Sequence, residues 1–220
     1  MKKTSKIIAI LLAMLLIQPA IAVSFTNRDL GANGGISSVA YGINDSGTVV
    51  GQYVSLSGVS RGFIWSEQNG MSEFTIDAHT TLKLSDINNK GEIIGLATCS
   101  GCWNPFIWSP ENGVVELNFG TIDTVTIPQA LNNTGAVTGQ TDAWGIDMHG
   151  FLWFPYSPDS ATNLGTLGGL SSNPHDINDL GEIVGGSTIG AGAPYKAFIW
   201  KDGVITNIGP IGTTLSVHVQ

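Results

Sequence analysis

The two cysteines of this 220-residue chain sit together, in Cys99-Ser-Gly-Cys102. That spacing suits three chemistries. In an oxidising compartment it reads as a local disulfide clip. A redox C-x-x-C pair instead needs a helix N-terminus and a βαβ context to lower a thiol pKa. The flanks here are strand-like and Gly-rich. A zinc site needs two further ligands, and His79, His149, His175 and His218 show no metal-ligand pairing. The expectation is a Cys99–Cys102 hairpin disulfide, with redox use, free thiols or metal binding as alternatives.

Carboxylates gather near a recurring Asn-x-x-Gly string: Asp45, Asp176, Asp179 and Glu182. A calcium loop takes about six to eight oxygens. These strings offer a few each, and Asn88-Asn-Lys90 places a cation in one of them. No metal and no cofactor is expected. There is no G-x-S-x-G nucleophile signature, and no carboxylate pair stands out for glycoside cleavage. The chain reads as non-catalytic, with an enzyme whose site is dispersed along the sequence as the third reading behind a binding module and a structural component. Two tryptophans, Trp103 and Trp144, fall in segments that vary between repeats. Asp142, Asp147 and His149 share the segment of Trp144. A loop tryptophan suits stacking on a sugar or anchoring a protein partner. These five are the candidate ligand-binding residues. The plainer reading of the tryptophans is a staple that covers a sheet edge.

A repeat positions all of these residues. The strings begin at Asn44, Asn88, Asn132 and Asn178, spaced 44, 44 and 46 residues apart. Phe63-Ile-Trp65, Phe106-Ile-Trp108, Phe151-Leu-Trp153 and Phe198-Ile-Trp200 keep the same register. So do Asp29-Leu-Gly31, Glu116-Leu-Asn118, Asn163-Leu-Gly165 and Asn207-Ile-Gly209. A fixed period of this length signals a repeat architecture. Each unit offers four strands: one ending at Ile/Leu-Asn, one in the Gly-x-Val-Val-Gly run, one in Phe-Ile-Trp, and one after a Gly turn. The middle two are apolar on consecutive residues, so both of their faces are covered. Asn at i with Gly at i+3 is type I turn chemistry. No segment beyond the first 22 residues shows a capped helical period. Short four-stranded sheets packed on both faces are propeller blades. The expected fold is all-β and β-propeller-like, with units at about 36–78, 80–120, 125–169 and 171–212. A further outer strand is expected at Phe25–Gly31 and a trailing piece at Gly203–Gln220. Such an array closes with four blades and spare strands, closes a ring of about five through its terminal strands, or belongs to a longer frame. Between Gly51, Gly95, Gly139, Gly185 and the next Phe lie 11, 10, 11 and 12 residues. Kept length with varied content reads as presentation loops on a rigid scaffold.

These markers resemble the HAF family of probable bacterial extracellular repeats. The matches are Ile177-Asn178-x-x-Gly181-Glu-Ile-Val-Gly185, His149-Gly-Phe-Leu-Trp153 and Leu164-Gly-Thr-Leu-Gly-Gly169. They cover essentially the whole chain after residue 22. The resemblance implies secretion and β-rich repeats, and it carries no catalytic residue. The family's His position is occupied by Arg61, Asn104, His149 and Lys196 in turn, which argues against a shared His site. The chain's own start agrees. Met1-Lys-Lys-Thr-Ser-Lys6, an 11-residue apolar run at Ile7–Ile17 and Ala20-Ile-Ala22 form a signal peptide cleaved after Ala22. That leaves one domain, residues 23–220, secreted or periplasmic, with no stable membrane span. Losing Lys2, Lys3 and Lys6 leaves six basic residues against 17 acidic, a net charge of −11. That charge argues against nucleic acid or an anionic membrane as a partner. The expected role is a secreted, non-catalytic binding module for a glycan or a surface protein. A structural component that oligomerises through open strand edges is the alternative.

Overall fold

The computed structural model describes residues 26–76, 81–99, 102–117, 125–145, 147–155 and 161–209. The expected signal peptide and the segment from residue 210 onward lie outside the described residues. The described residues form sixteen strands and no helix. The first sheet holds β1 (Ser37–Ile43), β2 (Val49–Val54), β3 (Ser60–Ser66) and β4 (Gly70–Phe74). The second holds β5 (Thr81–Ile87), β6 (Ile93–Cys99), β7 (Cys102–Ser109) and β8 (Gly113–Glu116). The third holds β9 (Thr126–Leu131), β10 (Val137–Thr141), β11 (His149–Trp153) and β12 (Thr162–Asn163). The fourth holds β13 (Ser172–Ile177), β14 (Ile183–Thr188), β15 (Tyr195–Lys201) and β16 (Val204–Asn207). Each sheet is an antiparallel meander in chain order, and each packs face to face on the next.

The turn between the first two strands of each sheet is built as the Asn-x-x-Gly spacing predicts. The Gly N–H of 47, 91, 135 and 181 donates to the Asn carbonyl three residues back at 2.9–3.0 Å, and each Gly has φ between 76° and 90°. The Asn side chain then accepts the N–H four residues on, at 3.0 Å in every sheet. In the last three sheets it also takes the N–H two residues on.

The first strand of every sheet carries one extra residue near its middle. The register slips between Ala40 and Gly42, Leu84 and Asp86, Pro128 and Ala130, and Pro174 and Asp176. A β-bulge bends its strand and disrupts the ladder locally. It also lets Pro128 and Pro174 sit in a strand, which proline tolerates at bulges and edges. Opposite the bulge stands the Gly that closes the repeat string: Gly51, Gly95, Gly139 or Gly185.

Interior packing lies between the sheets. Phe63, Phe106, Phe151 and Phe198 are fully buried, and each Trp two residues on shares its cluster. Val49 and Val50 are both buried although consecutive, because neighbouring layers cover both faces of the second strand. The seat around each Phe and Trp is closed by a residue from the segment before that sheet. Phe74 does this for the second sheet, Leu117 for the third and Leu164 for the fourth. For the first sheet the plug is Leu30.

Two expectations change here. Residues 26–31 form no strand; they lie against the first sheet, with Arg28 over the Trp65 ring at 5.1 Å and paired to Glu67. The supposed presentation loops are part strand, mostly so in the first two sheets. What remains between the second and third strands is 55–59, 100–101, 142–148 and 189–194. Their near-constant span arises because strand and connection trade length: the second sheet has the longest strands and the shortest connection, the third the reverse.

Candidate functional site

The Asn-x-x-Gly turns converge at one end of the array, around a cavity of about 250 Å³. Asn44-Asp45, Asn88-Asn89, Asn132-Asn133 and Asp179 line it, with Asp86 below them and Ile43, Ile87, Leu131 and Ile177 as walls. The polar groups are spent on one another. Nδ2 of Asn44 donates to the Asn88 carbonyl at 3.1 Å, Asn88 to Asn132 at 2.9 Å, and Asn132 to Asn178 at 2.9 Å. One residue on, the N–H of Asp45, Asn89 and Asn133 donates to the side chain of Asn89, Asn133 and Asp179, each at 2.8 Å. Two parallel ladders therefore stitch the sheets together. Among the described residues no group of three His, Cys, Asp or Glu side chains could hold a metal ion.

Asp86 is the one cavity carboxylate that is half-buried. Its oxygens accept Ile87 N–H at 2.8 Å and Leu131 N–H, from the third sheet, at 3.1 Å. Both donors lie on the inner edges of sheets, where no strand follows to receive them. Gly42 makes room for it: a Cβ there would stand 2.8 Å from Oδ1 of Asp86. The sequence offered a signal that was passed over. Asp-Ile-Asn occurs at Asp86 and Asp176, whereas Gly42 and Ala130 hold the same place in the other two units.

The other candidate residues stand at the opposite end of the sheets, because a meander puts the first and second connections at opposite ends. Trp144 is 40% exposed in the 142–148 connection. Asp142 has a scaffolding job: Oδ1 accepts Val125 N–H at 2.8 Å, and its own N–H donates to the Val125 carbonyl at 3.2 Å. Nδ1 of His149 pairs with the Asn163 amide at 3.0 Å across the sheet. Asp147 is half-buried in the same connection. Trp103 belongs to strand β7, opposite Thr98, and not to a loop as expected. Its side chain lies outside the described residues. The backbone pairs Cys99 with Cys102 at the end of the β6–β7 ladder, closed by two residues; their side chains also lie outside the described residues.

No family model and no curated protein matches the chain. Its architecture is similar to two solved structures. One is TolB from Acinetobacter baumannii, at TM-score 0.60 and 14% identity, covering 79% of this chain and 44% of that one. The other is a puromycin-hydrolyzing peptidase of Mycobacterium tuberculosis, at TM-score 0.59 and 11% identity, covering 82% of this chain and 30% of that one. Both contain β-propellers. The fold is β-propeller-like. This chain spans less than half the length of either structure, so the likeness is one of architecture alone.

In blade terms, the turn-lined cavity is the axial end of the array and Asp86 caps its inner strands. Burial raises the Asp86 pKa above its ordinary 3.8, against the lowering effect of its two backbone donors. The nearby Asp176 carboxylate raises it further. A raised folded value means that the stability contributed by protonated Asp86 is complete below pH 3.8 and is lost as pH rises through the folded value. Asp179 runs the other way, lowered by the Asn133 side chain and N–H. Comparison with Asp86→Asn isolates the first effect. Urea midpoints of the parent, relative to that variant, are expected to fall as pH rises from about 3 to about 7. A pH-independent difference would show that Asp86 does not titrate as described.

Proposed function

We propose that the protein is a secreted or periplasmic, non-catalytic β-propeller-like module that binds a glycan or a surface protein. The reading rests on the end of the blades away from the axial turns. There the connections of the first, third and fourth blades each present a large exposed apolar side chain: Leu56, Trp144 and Ile189. The repeated residues are consumed by the scaffold. These three vary in type yet share a position along one rim. Exposed aromatic and aliphatic groups on a rigid frame are the usual anchors of recognition. Trp144 has the largest face to offer a sugar ring. The signal peptide and the resemblance to HAF repeats support export, and the acidic chain favours neutral or basic partners over phosphate polymers.

The test is binding to a glycan panel and to envelope extracts by the parent and by variants Trp103→Ala and Trp144→Ala. Trp144→Ala is expected to weaken binding at least about tenfold, with an unchanged urea midpoint. Binding that survives both substitutions, or is absent from every panel, removes this reading.

A further inference from the structure

The first and last blades each leave open a face that interior blades bury. Ile43 is 67% exposed, whereas its counterparts Ile87, Leu131 and Ile177 are 5%, 6% and 5% exposed. Ala40 is exposed, whereas Leu84, Pro128 and Pro174 at its position are buried. At the other end Val184 is 40% exposed, whereas Val50, Ile94 and Thr138 are all at 0%. Ile208 is 50% exposed, against 8%, 4% and 3% for Phe74, Leu117 and Leu164. The described residues thus form an open arc, with one half of a blade–blade contact at each end.

The two halves fit each other. Within the chain, the face carrying Val50 or Ile94 already packs on the face carrying Ile87 or Leu131, in single continuous clusters. The same contact carries the two hydrogen-bond ladders. Asn178 and Asp179 end those ladders on the last blade, and Asn44 and Asp45 begin them on the first.

We propose that a second copy of this chain docks head to tail, the Val184 and Ile208 face of one copy on the Ile43 face of the next. Asn178 then donates to the Asn44 carbonyl of the other copy, as Asn132 donates to Asn178. Joined at both ends, two arcs of four blades make a ring of eight, inside the usual range of about four to eight. If the rotation does not close, the same contact propagates as a filament. One local rearrangement is required. Leu30 holds the seat beside Phe63 and Trp65 that an incoming Ile208 would take. Residues 26–31 therefore compete with assembly, held by the Arg28–Glu67 pair and by Arg28 over Trp65.

Sedimentation velocity across a concentration series tests this. The parent is expected to show a dimer, or a growing series, in mass-action equilibrium with monomer. Ile43→Lys and Val184→Lys each place a charge in the contact and should weaken association about 100-fold or more. The two variants mixed should recover association, because each keeps one intact and complementary face. Leu180→Lys, on an exposed turn whose counterpart is Lys90, should change nothing. Leu30→Ser should strengthen association by releasing the seat. A parent that stays monomeric at all concentrations overturns the proposal. Variants that fail to complement each other overturn the head-to-tail geometry. A Leu30→Ser variant that associates no better overturns the competition.

Discussion

Gly139→Ala is expected to destabilise the protein by about 3 kcal/mol or more, beyond the ordinary cost of overpacking. A Cβ at this position would stand 2.1 Å from the Ile127 carbonyl oxygen and 2.9 Å from the Pro128 Cα. Both are backbone atoms of the neighbouring strand, so no side chain can rotate away. Conformational freedom is not the reason for glycine here, since Gly139 is absent from the positive-φ set. The bulge is the reason. By folding an extra residue into β9, it turns the Ile127 carbonyl toward β10. The same overlap recurs at Gly51 with Val39 O at 2.1 Å, at Gly95 with Lys83 O at 2.4 Å, and at Gly185 with Asn173 O at 2.2 Å. Gly145→Ala is the control. It has open space around it and no positive φ, so its effect should be neutral or slightly stabilising. Urea midpoints of the two variants beside the parent decide the matter. An alanine at 139 that costs no more than one at 145 would mean that the strands separate freely, and the account of the repeated Gly would fail.

That glycine shows what one-dimensional reading reaches. The string Asn-x-x-Gly announced its own turn, because Asn at i and Gly at i+3 are local requirements. Val49-Val50 and Phe63-Ile-Trp65 announced doubly covered strands, because burial on consecutive residues is a pattern along the chain. A Gly that ends a strand points to a close backbone approach, but the atom it avoids belongs to another strand and cannot be read along the chain. The work of Asp86, unlike its Asp-Ile-Asn string, was invisible for a similar reason. Its donors, Ile87 and Leu131, lie in two different sheets, and the space for it is made by Gly42 in a third. Strand length was misjudged where composition loses its apolar run. Thr98 and Trp103 still pair across β6 and β7, because backbone hydrogen bonding continues after hydrophobic patterning stops. The openness of the arc was equally beyond reach. Ile43 and Ile87 occupy the same place in their repeats, and only the presence or absence of a preceding blade separates them.

Asn88→Ala is the substitution expected to cost most among the repeated polar residues, about 3–5 kcal/mol. Asn88 is buried and uses every polar atom of its side chain. Oδ1 accepts Lys90 N–H and Glu92 N–H, each at 3.0 Å. Nδ2 donates to the Asn132 carbonyl at 2.9 Å and to the buried Glu92 carboxylate at 2.5 Å. Alanine would strand two backbone donors inside the turn and leave the Glu92 carboxylate without its amide. A buried group left unpaired costs about 1–3 kcal/mol, and more when charged. Asn88→Asp separates the two halves of the residue. It keeps an acceptor for the turn, loses the donor to Asn132, and sets a second carboxylate beside Glu92. It should therefore remain destabilising at neutral pH and recover on acidification, as the new carboxyl takes a proton. The position of the blade grades the effect. In the monomer, Asn178→Ala, on the exposed last blade with no following carbonyl among the described residues, should cost only about 1 kcal/mol. A chemical denaturation series over the four Asn→Ala variants tests this directly. Equal losses at positions 88 and 178 would confine the asparagine's work to its own turn; a large excess at 88 and 132 would place most of it in the bond that crosses to the next blade.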